Sequence, residues 1–159
     1  MINISATPIA DVTAGSPLTT RFDVIETRID DIFESGGGVA VKVAAAELLS
    51  LGEKVLELWL EARDEKPTLE QKEGFRLLAL HRQGARGEPS FNACRETCRE
   101  LVYHYNLIAT EQTSAEAQRQ LRLMTMVAKH LCLFVGGKMQ VAGLGDFCCA
   151  AKPMRADGN

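Results

Sequence analysis

Residues 89–108 read PSFNACRETCRELVYHYNLI, and the spacing within them decides the fold class. Phe91, Cys94, Cys98, Leu101, Val102, Tyr105 and Ile108 recur every three or four positions, which places them on one face of an α-helix. Arg95, Glu96, Arg99 and Glu100 fall on the opposite side. This stripe alone predicts an amphipathic helix that needs other helices to cover it.

The flanking sequence supplies them. Downstream, Thr113-Ser114-Ala115-Glu116 is a capping box that opens a helix with Ala117, Leu121, Met124, Ala128, Leu131 and Val135 on its face, stopping at Gly136–Gly137. Upstream, Thr68-Leu69-Glu70-Gln71 reads as a second capping box. Its helix turns Phe75, Leu78 and either Leu77 or Leu80 inward and ends at Gly84–Gly87. An earlier helix runs from Val39 or Val43 to Arg63 around Leu48, Leu51, Val55, Leu58 and Trp59, and Lys66–Pro67 stops it. The first is capped at Thr19 or Thr20, carries Phe22, Ile25, Ile29, Ile32 and Phe33, and ends at the triple glycine 36–38. The expectation is an all-α bundle of four to five helices over residues 19–135. A flexible N-terminal arm (residues 1–18) precedes it, and a short irregular or hairpin-like C-terminal segment (residues 136–159), partly packed on the bundle, follows.

Composition narrows the function classes. At 159 residues with 46% hydrophobic side chains, the chain matches one globular domain and not a disordered one. A net charge of −3 disfavours nucleic acid, whose backbone selects basic surfaces. Charge is unevenly divided, with 6 basic and 12 acidic residues in positions 1–66 against 12 and 9 in positions 67–159. That split favours intramolecular complementarity or head-to-tail association over binding a polyanion. No stretch suits a secretory signal or a membrane span, so a cytoplasmic protein is expected. The five cysteines, at 94, 98, 132, 148 and 149, form an odd set that reads as reduced thiols.

Three groups of residues are candidates for chemistry. Cys94 and Cys98 lie one helical turn apart, the arrangement of a soft-metal or redox pair, with Cys132 a third ligand from a neighbouring helix. Their place on the apolar stripe favours the reading of small buried hydrophobes. The vicinal Cys148–Cys149 pair reads as incidental to the tail. Arg82 and Arg86, with Arg95 and Arg99, are two i,i+4 pairs flanking the turn at Ser90. There a helix N-terminus would add N–H groups and positive charge, which makes a candidate anion site.

The stretch His81-Arg82-Gln83-Gly84-Ala85-Arg86-Gly87 also resembles the phospho-accepting helix of histidine-phosphotransfer bundles. That resemblance implies an exposed phospho-acceptor at His81. Ala85 matches the family's small residue, Gly84 stands where the family has lysine, and Arg82 or Arg86 would have to take over the lysine's role. A helix-turn-helix over 69–106 is disfavoured by the long turn from Gly84 to Ser90. No metallohydrolase or hydrolase-serine motif occurs. The expectation is a non-enzymatic helical regulator or adaptor acting through a protein partner, without a cofactor. A Cys94/Cys98 sensor and a phosphate-ligand module around His81 are the alternatives.

Overall fold

Helices form where the apolar spacing places them, in five segments of the computed structural model, which describes residues 18–35, 40–110 and 113–143. They are α1 (Leu18–Ser35), α2 (Val41–Ala62), α3 (Arg76–Arg86), α4 (Arg95–Thr110) and α5 (Ser114–Val141). A 3-10 segment, Pro89–Cys94, leads into α4. The only strand-like feature among the described residues is an isolated bridge between Lys72 and Phe75. No helix among them is long and apolar enough to cross a membrane.

α5 and α2 form the centre. α5 packs against α1, α2 and α4, while α2 also packs against α3. The stripes expected from sequence are the ones buried: Phe22, Ile25, Ile29 and Ile32 on α1, Leu48 to Leu60 on α2, and Leu121, Met124, Ala128, Leu131 and Val135 on α5. Phe33 departs from its stripe and stays 43% exposed near the end of α1. Gly52 marks where four helices meet. A Cβ there would lie 3.2–3.6 Å from Leu77, Leu101 and Leu131 of α3, α4 and α5. At the periphery, Arg28 pairs with Glu47 across α1 and α2, and Lys129 with Asp30 and Glu26 across α5 and α1.

α2 ends where expected, with Arg63 as its C-cap, and Asp64 at a positive φ of 61° with the Glu65 N–H returned to the Leu60 carbonyl completes the stop ahead of Pro67. The boundaries differ from expectation in three places, each for a local reason. α4 begins at Arg95 and not at Pro89–Ser90, because residues 89–94 form the 3-10 segment. α3 starts at Arg76, not at the Thr68 box. The Thr68 hydroxyl accepts from the Glu70 N–H and from no N–H one turn on, and the Gln83 side chain holds the Lys66 carbonyl and Thr68 N–H at 2.9 and 2.8 Å. With those groups occupied, residues 66–71 stay out of the helix. A tight turn follows, with Glu73 and Gly74 both at positive φ between paired Lys72 and Phe75, a turn type that favours glycine.

The third difference concerns the C-terminal segment. Thr113 caps α5 as expected, accepting from the Glu116 N–H. The helix then continues through Gly136–Gly137 to Val141, so residues 136–141 are helical and not hairpin-like. Packing overrides the glycine penalty: Phe22 lies 3.7 Å from the site of a Gly136 Cβ, and Met139 one turn on is fully buried. Gly143, at φ 73°, terminates the helix instead. The N-terminal arm to residue 17, the triple glycine, and residues 144–159 with Cys148 and Cys149 lie outside the described residues.

α3 also runs through a glycine, and there the small residue is a packing requirement. A Cβ on Gly84 would sit 2.9–3.1 Å from the Phe91 ring and 3.3 Å from Trp59. Phe91 stacks on Trp59 at 4.8 Å between centroids and on His81 at 5.4 Å, so its ring has little room to retreat. Gly84→Ala is therefore expected to destabilise the protein by about 1–3 kcal/mol through overpacking, despite better helix propensity. Gly137, with nothing within 4 Å of its Cβ position, should behave oppositely: Gly137→Ala should stabilise by about 0.5–1 kcal/mol. Urea unfolding of both variants checks the pair of signs.

Candidate functional site

The exposed edge of α3 carries the candidate site. Leu77, Leu78, Ala79 and Leu80 are buried, which leaves Arg82 and Arg86, one turn apart, pointing outward beside the loop before α3 and the 3-10 segment after it. A cleft of about 290 Å³ opens there between Lys72 of the tight turn, Arg82 and Arg86 of α3, and Asn92 and Arg95 at the start of α4, with His81 in its wall. Four cationic side chains line it, and no carboxylate does. A larger cleft of about 710 Å³ shares Arg82 and Arg86 and extends under the 66–70 loop to Leu69.

The ion pairs show how much of this charge is available. Arg82 reaches Glu70 only at 4.0 Å, and Arg95 reaches its neighbour Glu96 at 3.3 Å, both pairs being exposed and hence weak. Neither Lys72 nor Arg86 makes an ion pair within 4.0 Å among the described residues. Arg76 is different. Its guanidinium bridges Glu53 and Glu57 of α2 while its Nε donates to the Thr68 carbonyl at 2.8 Å. Burial pushes the Glu53 carboxyl up, and Arg76 pulls against that shift. Arg76 is thus a clamp that fixes the cleft's outer loop.

Of the five residues expected at an anion site, three meet here and two do not. Arg99 is turned away to Glu73, whose carboxyl is held low by Arg99's hydrogen bonds and charge. Ser90 donates to Glu88 at 2.6 Å and accepts from Lys138 at the same distance, on another side of the segment. The α-helix begins only at Arg95, so Ser90 does not cap it; residues 89–94 are 3-10. Lys72 and Asn92 are the members that sequence reading missed. The Glu73-Gly74 turn was the available signal for Lys72, because a two-residue turn folds its flanking residues back onto one another. Asn92 carried none.

His81 is buried at 5% exposure, where the phosphotransfer resemblance requires an exposed ring. Its Nε2 lies 3.0 Å from the Phe91 carbonyl, and its face rests against the Phe91 ring. Phosphoryl acceptance from a partner domain is therefore not what this imidazole is placed for.

The same carbonyl accepts from Cys94 Sγ at 3.3 Å, so His81 and Cys94 converge on one atom. Cys94 and Cys98 are both buried and both free thiols. Their acidities are split. Cys94 is drawn down to about 6, chiefly by a hydrogen bond from Cys98 and then by His81, against the opposing effect of burial. Cys98 moves upward because it is the donor in that pair and is buried. Cys132 lies elsewhere, under the Phe22 carbonyl of α1, and burial together with nearby Glu26 and Asp23 pushes it up to about 12. The expected three-cysteine constellation is not assembled. Among the described residues no group of three or more His, Cys, Asp and Glu side chains is arranged to hold a metal ion.

Comparison with models of known families, with curated proteins and with solved structures finds no match for this chain. The site is therefore read from its geometry.

The split acidities are measurable without chemical access to the buried sulfurs. With cysteine labelled in 13C, the Cys94 Cβ resonance should titrate with a midpoint near 6, and Cys98 should show no ionisation through the ordinary thiol range. Cys98→Ala should move the Cys94 midpoint upward, since it removes the hydrogen bond that contributes most. A Cys94 midpoint in the ordinary thiol range in the unsubstituted protein would contradict the assignment.

Proposed function

We propose that the protein is a small helical adaptor of the non-enzymatic, regulatory kind, which docks an anionic segment of a partner protein in the α3 cleft. The observation that carries this reading is the convergence of Lys72, Arg82, Arg86 and Arg95 on one concave site without a lining carboxylate. Lys72 and Arg86 make no ion pair within 4.0 Å among the described residues, although Lys72 feels the neighbouring Glu73 charge, so an incoming anion does not have to displace a close ion pair from them. A peptide fits better than a lone ion. The cationic cleft runs into the larger one through the shared Arg82 and Arg86, and Leu69 stands at that rim with 82% of its surface exposed. A chain bearing a phosphoryl group or clustered carboxylates next to an apolar side chain would meet both features at once. Arginines suit such a ligand because the guanidinium fork can hold two oxygens of one carboxylate or phosphate. A reducing cytoplasmic setting goes with this reading, and there Cys94 and Cys98 stay reduced.

The test is titration with a phosphoserine peptide rich in Glu and Leu, followed in amide 15N–1H spectra. Shifts should concentrate at Lys72, Arg82, Arg86, Asn92 and Arg95, and affinity should fall as salt rises. Lys72→Ala and Arg86→Ala should each weaken binding by about tenfold, which is about 1.4 kcal/mol. Ser90→Ala, outside the cleft, should leave it unchanged. Native mass spectra of the same samples read the oligomeric state that the charge asymmetry suggests. Shifts located elsewhere, or absent at millimolar peptide, would overturn the docking site.

A further inference from the structure

We infer that Cys94 and Cys98 form a dithiol–disulfide couple, with Cys94 attacking and Cys98 resolving, whose oxidant is a small anionic disulfide entering through the α3 cleft. The inference stands on the cluster behind the cleft wall and is independent of peptide docking. Cys94 closes the 3-10 segment, Cys98 follows one helical turn later, and His81 shares the Phe91 carbonyl with Cys94. Residues one turn apart have Cα atoms about 6 Å from each other, within the span of a disulfide. The junction falls where the 3-10 segment passes into α4, with the Arg95 N–H bonded to the Asn92 carbonyl, and the bond requires the 3-10 turn to shift so that the two Cβ atoms, about 5–6 Å apart at this helical spacing, come within disulfide reach. Cys94 is the attacking sulfur because its neighbours Asn92 and Arg95 line the cleft while Cys98 lies one turn deeper in α4, and the downward shift of Cys94's acidity agrees with that order.

Access follows from the 3-10 segment itself. Cys94 is 1% exposed in the closed state, but its neighbours Asn92 and Arg95 line the cleft. Short 3-10 runs have poorer hydrogen-bond geometry than α-helices, but opening this one requires Phe91 to leave its stack on Trp59 and His81, so access is through a sparsely populated open state. Opening residues 89–94 presents Cys94 to the cleft. The four cations there attract a disulfide bearing carboxylates and stabilise the thiolate that reacts with it.

The chemistry balances in two exchanges. Cys94, as the thiolate, attacks one sulfur of R–S–S–R. A Cys94–S–S–R bond forms, the original S–S bond breaks, and a thiolate leaves and takes from solvent the proton that Cys94 released there. Cys98 then loses its proton and attacks Cys94 Sγ. The Cys94–Cys98 bond forms, and the second thiolate leaves with the proton from Cys98. The protein dithiol loses two electrons and two protons, and the small disulfide becomes two thiols.

The experiment uses the fully reduced chain, incubated without oxygen with oxidised glutathione, then acid-quenched, alkylated and mapped by mass. The expected product is a Cys94–Cys98 link, identified because cleavage at Arg95 leaves the two cysteines on separate peptides joined by the bond. Cys98→Ser should halt at a glutathione mixed disulfide on Cys94. Cystamine, a cationic disulfide, should react about tenfold more slowly than oxidised glutathione at low salt. Alkylation of both Cys94 and Cys98 after exposure to oxidised glutathione would overturn the couple, as would adducts or links confined to other cysteines. Equal rates for the two disulfides would overturn the anionic substrate class.

Discussion

The approach of α3 to the 3-10 segment and to α2 at Gly84 is the constraint on which the rest of the site depends. Gly84 lets the Phe91 ring lie against the α3 backbone, and Phe91 in turn stacks on Trp59 and His81. That stack fixes the 3-10 segment, the segment carries Cys94 and Asn92, and α4 starts from its end. Trp59 Nε1 is buried without an acceptor among the described residues, a deficit of about 1–3 kcal/mol in general terms. The Arg63 guanidinium, 5.2 Å from the centre of the Trp59 ring, and the stack with Phe91 offset part of it. Replacing the glycine separates three elements, because each one positions the next.

The distribution of charge around this stack follows a consistent division. Arginines that hold the fold are matched: Arg28 with Glu47, Arg76 with Glu53 and Glu57, Arg99 with Glu73. Those that line the cleft are matched weakly or not at all. Arg76 illustrates the physical reason for the first group. A cation at the first position of a helix opposes the helix dipole, so two carboxylates from α2 are needed to keep it there. The cleft cations sit farther along α3 or on its flanks, where no such compensation is required.

Most of the fold was legible because burial on α1, α4 and α5 is one-sided. Cys94, Cys98, Leu101 and Ile108 fall where the period places them, and so do the α1 and α5 stripes. α3 was harder to read. Leu77, Leu78, Ala79, Leu80 and His81 are all buried in succession, so the segment offers little contrast by which to orient it, and His81 is classed by its neighbours and not by its spacing. The false helix start at Thr68 has a similar origin: the local capping signal is present, but side chains from Gln83 and Arg76 claim the backbone groups a helix would use. Gly136–Gly137 looked like a stop because its contacts with α1 are distant in sequence. Part of the cation cluster could be seen in Arg82, Arg86 and Arg95. Arg99 and Ser90 could not be separated from it without knowing the turn at Glu73–Gly74 and the 3-10 form of residues 89–94.

Gln83 gives the 66–70 loop a property that ordinary surface loops lack. Its amide bonds to the backbone as a neighbouring strand would, donating to one peptide group and accepting from another two residues on. Arg76 fastens the same stretch from the opposite end. The loop is therefore set before any encounter, and Leu69 is held outward on a fixed support. Conformational freedom at that rim is surrendered when the chain folds. Whatever meets Leu69 contends with the desolvation of one leucine, while the disorder of the five residues around it has already been removed.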